Sequence, residues 1–182
     1  MNQPIRMASL LSTPGAGFEQ PFEMLEACHE RVARMLALLQ RLREHLPGHG
    51  ADDNARQAAR DVMRYFDQAA PQHHRDEEIH VFPPLLTQGD PGTVALVRRL
   101  QEDHAQMESR WLKAREVLDA VASGALQAFS APDEAALDSF AGVYDDHIQA
   151  EERLAYPAAA ALLDAQALAA MGREMSRRRG AA

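Results

Sequence analysis

Four amphipathic segments of this chain each carry a histidine in the middle of the apolar stripe, where a hydrophobic side chain is the usual occupant. The first reads Phe22, Leu25, His29, Val32, Leu36, Leu39. The second reads Val62, Phe66, Ala69, His73, Glu77, and the third Val97, Leu100, His104, Met107 or Glu108, Trp111, Leu118. The fourth reads Leu137, Phe140, Tyr144, His147, Glu151, Leu154. The three-four alternation makes each stripe the core-facing seam of a helix. One imidazole on such a seam is an ordinary hydrogen-bonded core residue. Four helices contributing one each must pack so that the imidazoles meet.

Proline and glycine divide the chain into those helices. Pro14, Gly15 and Gly17 close an irregular leader over 1–18, and Pro21 suits a first helical turn. The first helix is expected to stop at Pro47 and Gly48, and Asp52 or Asp53 caps the second. Pro71 is expected to bend that second helix before it ends near Pro83 and Pro84. Gly89 to Gly92 opens a third, running to about Gly124, and Ser130 or Asp133 opens the fourth. A short helix from 165 to about 178 ends in Arg177, Arg178 and Arg179, read as a cationic helix end and frayed tail. Strand signals are absent. The fold predicted is all-α: an antiparallel up-down-up-down four-helix bundle over 19–164, with an additional C-terminal helix and basic tail over 165–182.

Counting inward at about 1.5 Å per residue from one end of such a bundle puts His29, His73, His104 and His147 at depths of roughly 14, 21, 20 and 24 Å. They share one slab. Carboxylates accompany them. Residues four apart share a helix face, and the spacing His-x-x-x-Glu occurs at His73/Glu77, His74/Glu78, His104/Glu108 and His147/Glu151. At glutamate's frequency in this chain, eight histidines would give fewer than one such pair by chance. An internal repeat ranks the two adjacent histidines: HHRDEEIHVFP at 73–83 and HIQAEERLAYP at 147–157 align His73 with His147, Glu77 with Glu151 and Phe82 with Tyr156. The alignment favours His73 over His74 as the inward member.

Composition narrows the chemistry. A single cysteine, Cys28, excludes an internal disulfide, zinc fingers and all-cysteine iron–sulfur sites. Any transition metal here must be held by His, Asp and Glu. Mixed imidazole and carboxylate donors without thiolate suit iron or manganese, with zinc as a lesser substitute. The 27 acidic residues outnumber 19 basic ones, which argues against nucleic acid as a partner. No stretch approaches the ~20 apolar residues of a membrane span, and the N-terminus lacks the apolar region of a secretory signal, so a cytoplasmic location is expected.

With these motifs in order, one isolated histidine, His-x-x-x-Glu, a histidine, then His-x-x-x-Glu, residues 19–164 resemble the hemerythrin family, specifically its HHE cation-binding domain. The resemblance implies two iron ions bridged by carboxylates and an oxo or hydroxo group, held by His29, His73, Glu77, His104, Glu108, His147 and Glu151. It also implies a diatomic or peroxide ligand, oxygen, peroxide or nitric oxide, on a monomer or homodimer. Oxygen-carrying members have a histidine four residues after that of the third helix. Glu108 stands there, so oxygen activation or peroxide turnover is expected ahead of reversible carriage.

Other readings use the same residues. A ferritin-like di-iron oxidase needs Glu-x-x-His on two helices and single glutamates on the other two. Glu26/His29 and Glu77/His80 fit that spacing, but both fall on the first two helices. An iron-delivering repair protein and a metal-free bundle with paired core histidines are the remaining alternatives. Tyr144, one turn before His147, is a candidate donor to a bound oxygen species, with Tyr65 a weaker one. Glu26, Asp103 and Asp146 are candidates to orient the histidines.

Overall fold

The computed structural model describes residues 17–181; the leader expected over 1–18 lies almost entirely outside them. Among the described residues the protein is helical throughout, without strands. The first leg of the bundle is α1 (Pro21–His49) and the third is α4 (Pro91–Ser123). The second leg is built from α2 (Asp53–Asp76), a π-helical turn π1 (Glu77–Val81) and α3 (Phe82–Gln88). The fourth runs through α5 (Ala131–Ala141), α6 (Tyr144–Ala150), a second π-helical turn π2 (Glu151–Ala155) and α7 (Tyr156–Leu162). An eighth helix, α8 (Ala165–Arg178), folds back over one end.

Caps follow the polar residues at the helix starts. Asp52, Asp90 and Asp164 accept backbone N–H groups at α2, α4 and α8, and Ser130 with Asp133 forms a capping box at α5. One expected break does not occur. α1 passes through Pro47 and stops at Gly50, whose φ of 62° suits only glycine without strain. α2 is continuous through Pro71. Proline's φ is helical, and each site forfeits one backbone hydrogen bond without ending the helix.

The real irregularities are π1 and π2. In each, the N–H of the residue just past the element reaches back five residues, Phe82 to the Glu77 carbonyl and Tyr156 to the Glu151 carbonyl. Pro83 and Pro157 follow directly, and a widened turn accommodates their missing N–H and ring bulk. The extra residue resets the inward face. Leu154, expected on the seam, is 56% exposed, while Ala155 and Tyr156 are buried. Val81 and Phe82 are their counterparts in π1 and α3.

Two apolar clusters fill the bundle and leave a polar layer between them. One holds Leu39, Leu42, Val62, Phe66, Leu118 and Phe140; the other holds Leu25, Phe82, Leu85, Leu100, Tyr156 and the α8 methionines Met171 and Met175. α8 packs closely: a Cβ on Gly172 would lie 1.9 Å from the Phe18 carbonyl oxygen. Its basic end is not a frayed tail. Arg178 and Arg179 both donate to Asp76, whose carboxylate is fully buried. No single described helix is long and apolar enough to cross a membrane.

Candidate metal centre

His29 on α1, His73 on α2, His104 on α4 and His147 on α6 are all buried in the polar layer, with Glu77 and Glu151 between them. His29 Nε2 lies 2.9 Å from His73 Nε2 and 3.1 Å from a Glu151 oxygen. His147 Nε2 lies 2.9 Å from the other Glu151 oxygen, and His104 Nε2 is 3.7 Å from that same atom. Glu77 also spans both pairs: its two oxygens lie 3.4 Å from His73 Nε2 and 3.4 Å from His104 Nε2. Donor atoms of His29, His73, Glu77 and Glu151 fall within 4.8 Å of one another, as do those of His104, His147 and Glu151.

These residues fit a metal better than they fit one another. His104 Nε2, His147 Nε2, Glu77 Oε2 and both Glu151 oxygens are buried without a hydrogen-bond partner. Their close approaches lack hydrogen-bond alignment. Leaving such groups unpaired is costly. Two donors at right angles on one ion, each at about 2.1 Å, are about 3 Å apart, the spacing seen here between the His29 and His73 nitrogens.

Outer partners fix the rings. His29 Nδ1 meets Glu152 at 2.9 Å, His104 Nδ1 meets Glu78 at 3.1 Å, and His147 Nδ1 meets Asp103 at 3.3 Å. A carboxylate on Nδ1 holds the proton there and turns the Nε2 lone pair inward. The repeat explains two of these contacts: in each His-x-x-x-Glu-Glu the first glutamate faces the centre and the second steers a histidine on a neighbouring leg. Asp103 plays the expected orienting role; Glu26 and Asp146 are exposed. Glu78 is named by its spacing from His74 but not as an orienting group, and for Glu152 the only signal is the doubled glutamate of the repeat.

The electrostatics are those of excess carboxylate in a buried site. Burial opposes charge on His104, yet the surrounding Glu151, Glu77 and Glu78 push its pKa up to about 11. Burial likewise opposes charge on His29, and Glu151 raises it above the usual value. Burial would raise Glu151, but His104, His147 and His29 hold it well below the usual carboxylate range. Burial keeps His73 and His74 below theirs.

Glu108 is a correction. It is exposed and stands outside both donor groups. The α4 seam continues from His104 through buried Met107, which turns Glu108 to the rim of a cleft of about 500 Å3. Tyr144 also misses the centre, packing against Phe66 and Phe140 and lining the same cleft. Tyr65 donates to the Cys28 carbonyl. His80 pairs with Glu174 at 2.7 Å, so the ferritin-type pairing of Glu77 with His80 does not form. The tyrosine in the site is Tyr156. Its hydroxyl donates to Glu77 at 2.5 Å, lies 3.2 Å from His29 Nε2, and its ring stacks on His29. Its alignment with Phe82 marked the position, but not the role.

The sequence matches the family described as Hemerythrin HHE cation binding domain over residues 20–159. A protein of Haemophilus influenzae, carried only as uncharacterized, is 33% identical over 164 residues, covering 90% of this chain and 92% of its own. The matched segment contains all four inward histidines, the two glutamates between them and Tyr156. The chain belongs to the hemerythrin HHE cation-binding family.

Proposed function

We propose that the protein holds a non-haem di-iron centre that binds or reacts with oxygen, peroxide or nitric oxide. The observation that carries this reading is that Glu77 and Glu151 each span two histidine pairs, the arrangement of carboxylates shared between two ions. His29 and His73 would hold one iron, His104 and His147 the other. Four imidazoles and two carboxylates, with no thiolate, suit iron or manganese. Held by these residues, two ferrous ions would supply electrons to an oxygen-type ligand.

The chain's own residues set the conditions. Glu152, Glu78 and Asp103 hold three imidazoles with Nε2 inward. Tyr156 keeps a hydroxyl proton on Glu77, on the His29 side only. The two apolar clusters exclude bulk water above and below. With Glu108 on the rim, the donor group at His104 and His147 includes Glu151 alone, whereas that at His29 and His73 includes both glutamates, leaving the former the less saturated half.

Metal quantification joined to optical spectra tests the reading. Two irons per chain, oxo-bridged ferric bands on oxidation, and new bands with azide or peroxide are expected. Gas evolution from peroxide would mark an enzyme. A stable oxygenated form that releases oxygen intact would mark a carrier instead. A chain purified from iron-supplemented medium without metal would overturn the proposal.

A further inference from the structure

The repeat builds two equivalent half-sites, yet their surroundings differ. The His29–His73 half is roofed by Tyr156, whose ring in turn meets Phe22. The His104–His147 half carries Phe82 at the matching place and borders the cleft between α2 and α4. That cleft has a volume of about 500 Å3. A water molecule's share of liquid volume is about 30 Å3, and a diatomic gas or hydrogen peroxide needs little more. Pockets for small organic molecules span about 300–1,000 Å3. The space is an order of magnitude beyond what the smallest ligands need.

Its lining has an apolar body, the charged side chains Arg75, Glu78 and Glu108, and the imidazole of His74 beside the centre. Phe66, Met107, Trp111 and Tyr144 form the apolar walls. At the inner end His104 itself reaches the wall, with His74 stacked on it at 4.1 Å between ring centres and 15° between planes. Glu78 is already engaged, one oxygen with His104 and the other with Gln101 at 2.7 Å. The ring nitrogens of His74 have no hydrogen-bond partner among the described residues. The matching position in the second half-site is Ile148, so the imidazole is not required by the frame.

We propose that this cleft binds a small aromatic molecule bearing one hydrogen-bonding group, with the ring among Phe66, Met107 and Trp111 and the polar end on His74 beside the His104–His147 pair. The placement beside an open metal position rests on the di-iron reading; the binding site itself does not.

Phenol is the probe, titrated into the full chain, metal-free and iron-loaded, and followed by backbone and Trp111 indole N–H shifts. Saturable shifts confined to the cleft are expected in both forms. Ala105→Trp, which fills the cleft from an exposed lining position, should weaken binding at least tenfold. His74→Phe keeps a ring on His104 and removes the hydrogen bond; it should weaken phenol at least threefold and leave toluene unchanged. Iron-loaded Ala105→Trp should also take up azide at least tenfold more slowly. Absence of saturable shifts, or phenol binding indifferent to Ala105→Trp, overturns the cleft as a site. Unchanged azide uptake overturns its position at the open side of the centre. Metal-free protein that binds phenol but never takes up iron would leave the cleft standing and overturn the di-iron reading alone.

Discussion

Tyr156 distinguishes the two halves of a near-symmetric centre by a single hydroxyl. Its donation to Glu77 draws electron density from a carboxylate shared by both histidine pairs. Tyr156→Phe should leave metal content unchanged and lower the reduction potential of the bound centre, because Glu77 then becomes the stronger donor to the oxidised state. Spectroelectrochemistry of the loaded variant measures this, and an unshifted potential would show that the hydroxyl is only filling space. Glu108 and Glu151 make a second contrast at this scale. Glu151→Gln should abolish loading of both metals, whereas Glu108→Gln should bind the full complement. Metal analysis of the two variants decides it. Both glutamates sit four residues after a histidine, so spacing alone could not separate them. What separates them is whether the seam continues on that side of the helix: Met107 takes the inward position on α4, while π2 begins at Glu151 and turns it in.

At the scale of elements, helix existence and order follow from proline, glycine and apolar period, and the inward histidines from the seams they interrupt. The π-turns are not legible in the sequence because a 3.6-residue apolar period carries no mark of the extra residue inserted after Glu77 and Glu151. The misplaced Leu154 is the direct result. The role of α8 was hidden for another reason: an arginine run gives charge but not its partner, and Asp76 lies about a hundred residues away in sequence. That partner matters because Asp76 immediately precedes Glu77. A fully buried carboxylate that loses its cations is expected to cost about 3–5 kcal/mol. Arg178→Ala combined with Arg179→Ala should therefore destabilise the fold by that order in urea unfolding. A loss under about 1 kcal/mol, the range of exposed ion pairs, would mean that water replaces the guanidinium groups freely.

The whole molecule carries a net charge of -8, and its buried layer repeats that imbalance in miniature, with protons on histidine standing where metal charge belongs. In the metal-free protein the sign of the pH dependence follows from two shifts. His104 is raised from its ordinary 6.5 to about 11, so its contribution to stability is complete below pH 6.5 and is lost as pH rises toward 11. Glu151 is lowered from its ordinary 4.5, so its contribution is present above that pH and is lost on acidification below it. Metal-free protein should accordingly be most stable between pH 4.5 and 6.5 and weaken in alkali. Metal binding requires neutral imidazole, and at neutral pH His104 must release its proton to bind. Loading at pH 7 should thus expel at least one proton per chain, and the gain in thermal stability on loading should grow as pH rises. Calorimetric titration of ferrous ion in buffers of differing ionisation enthalpy reads the proton count directly. A count of zero would place a neutral His104 in the metal-free centre and remove the carboxylate excess as the cause of its charge.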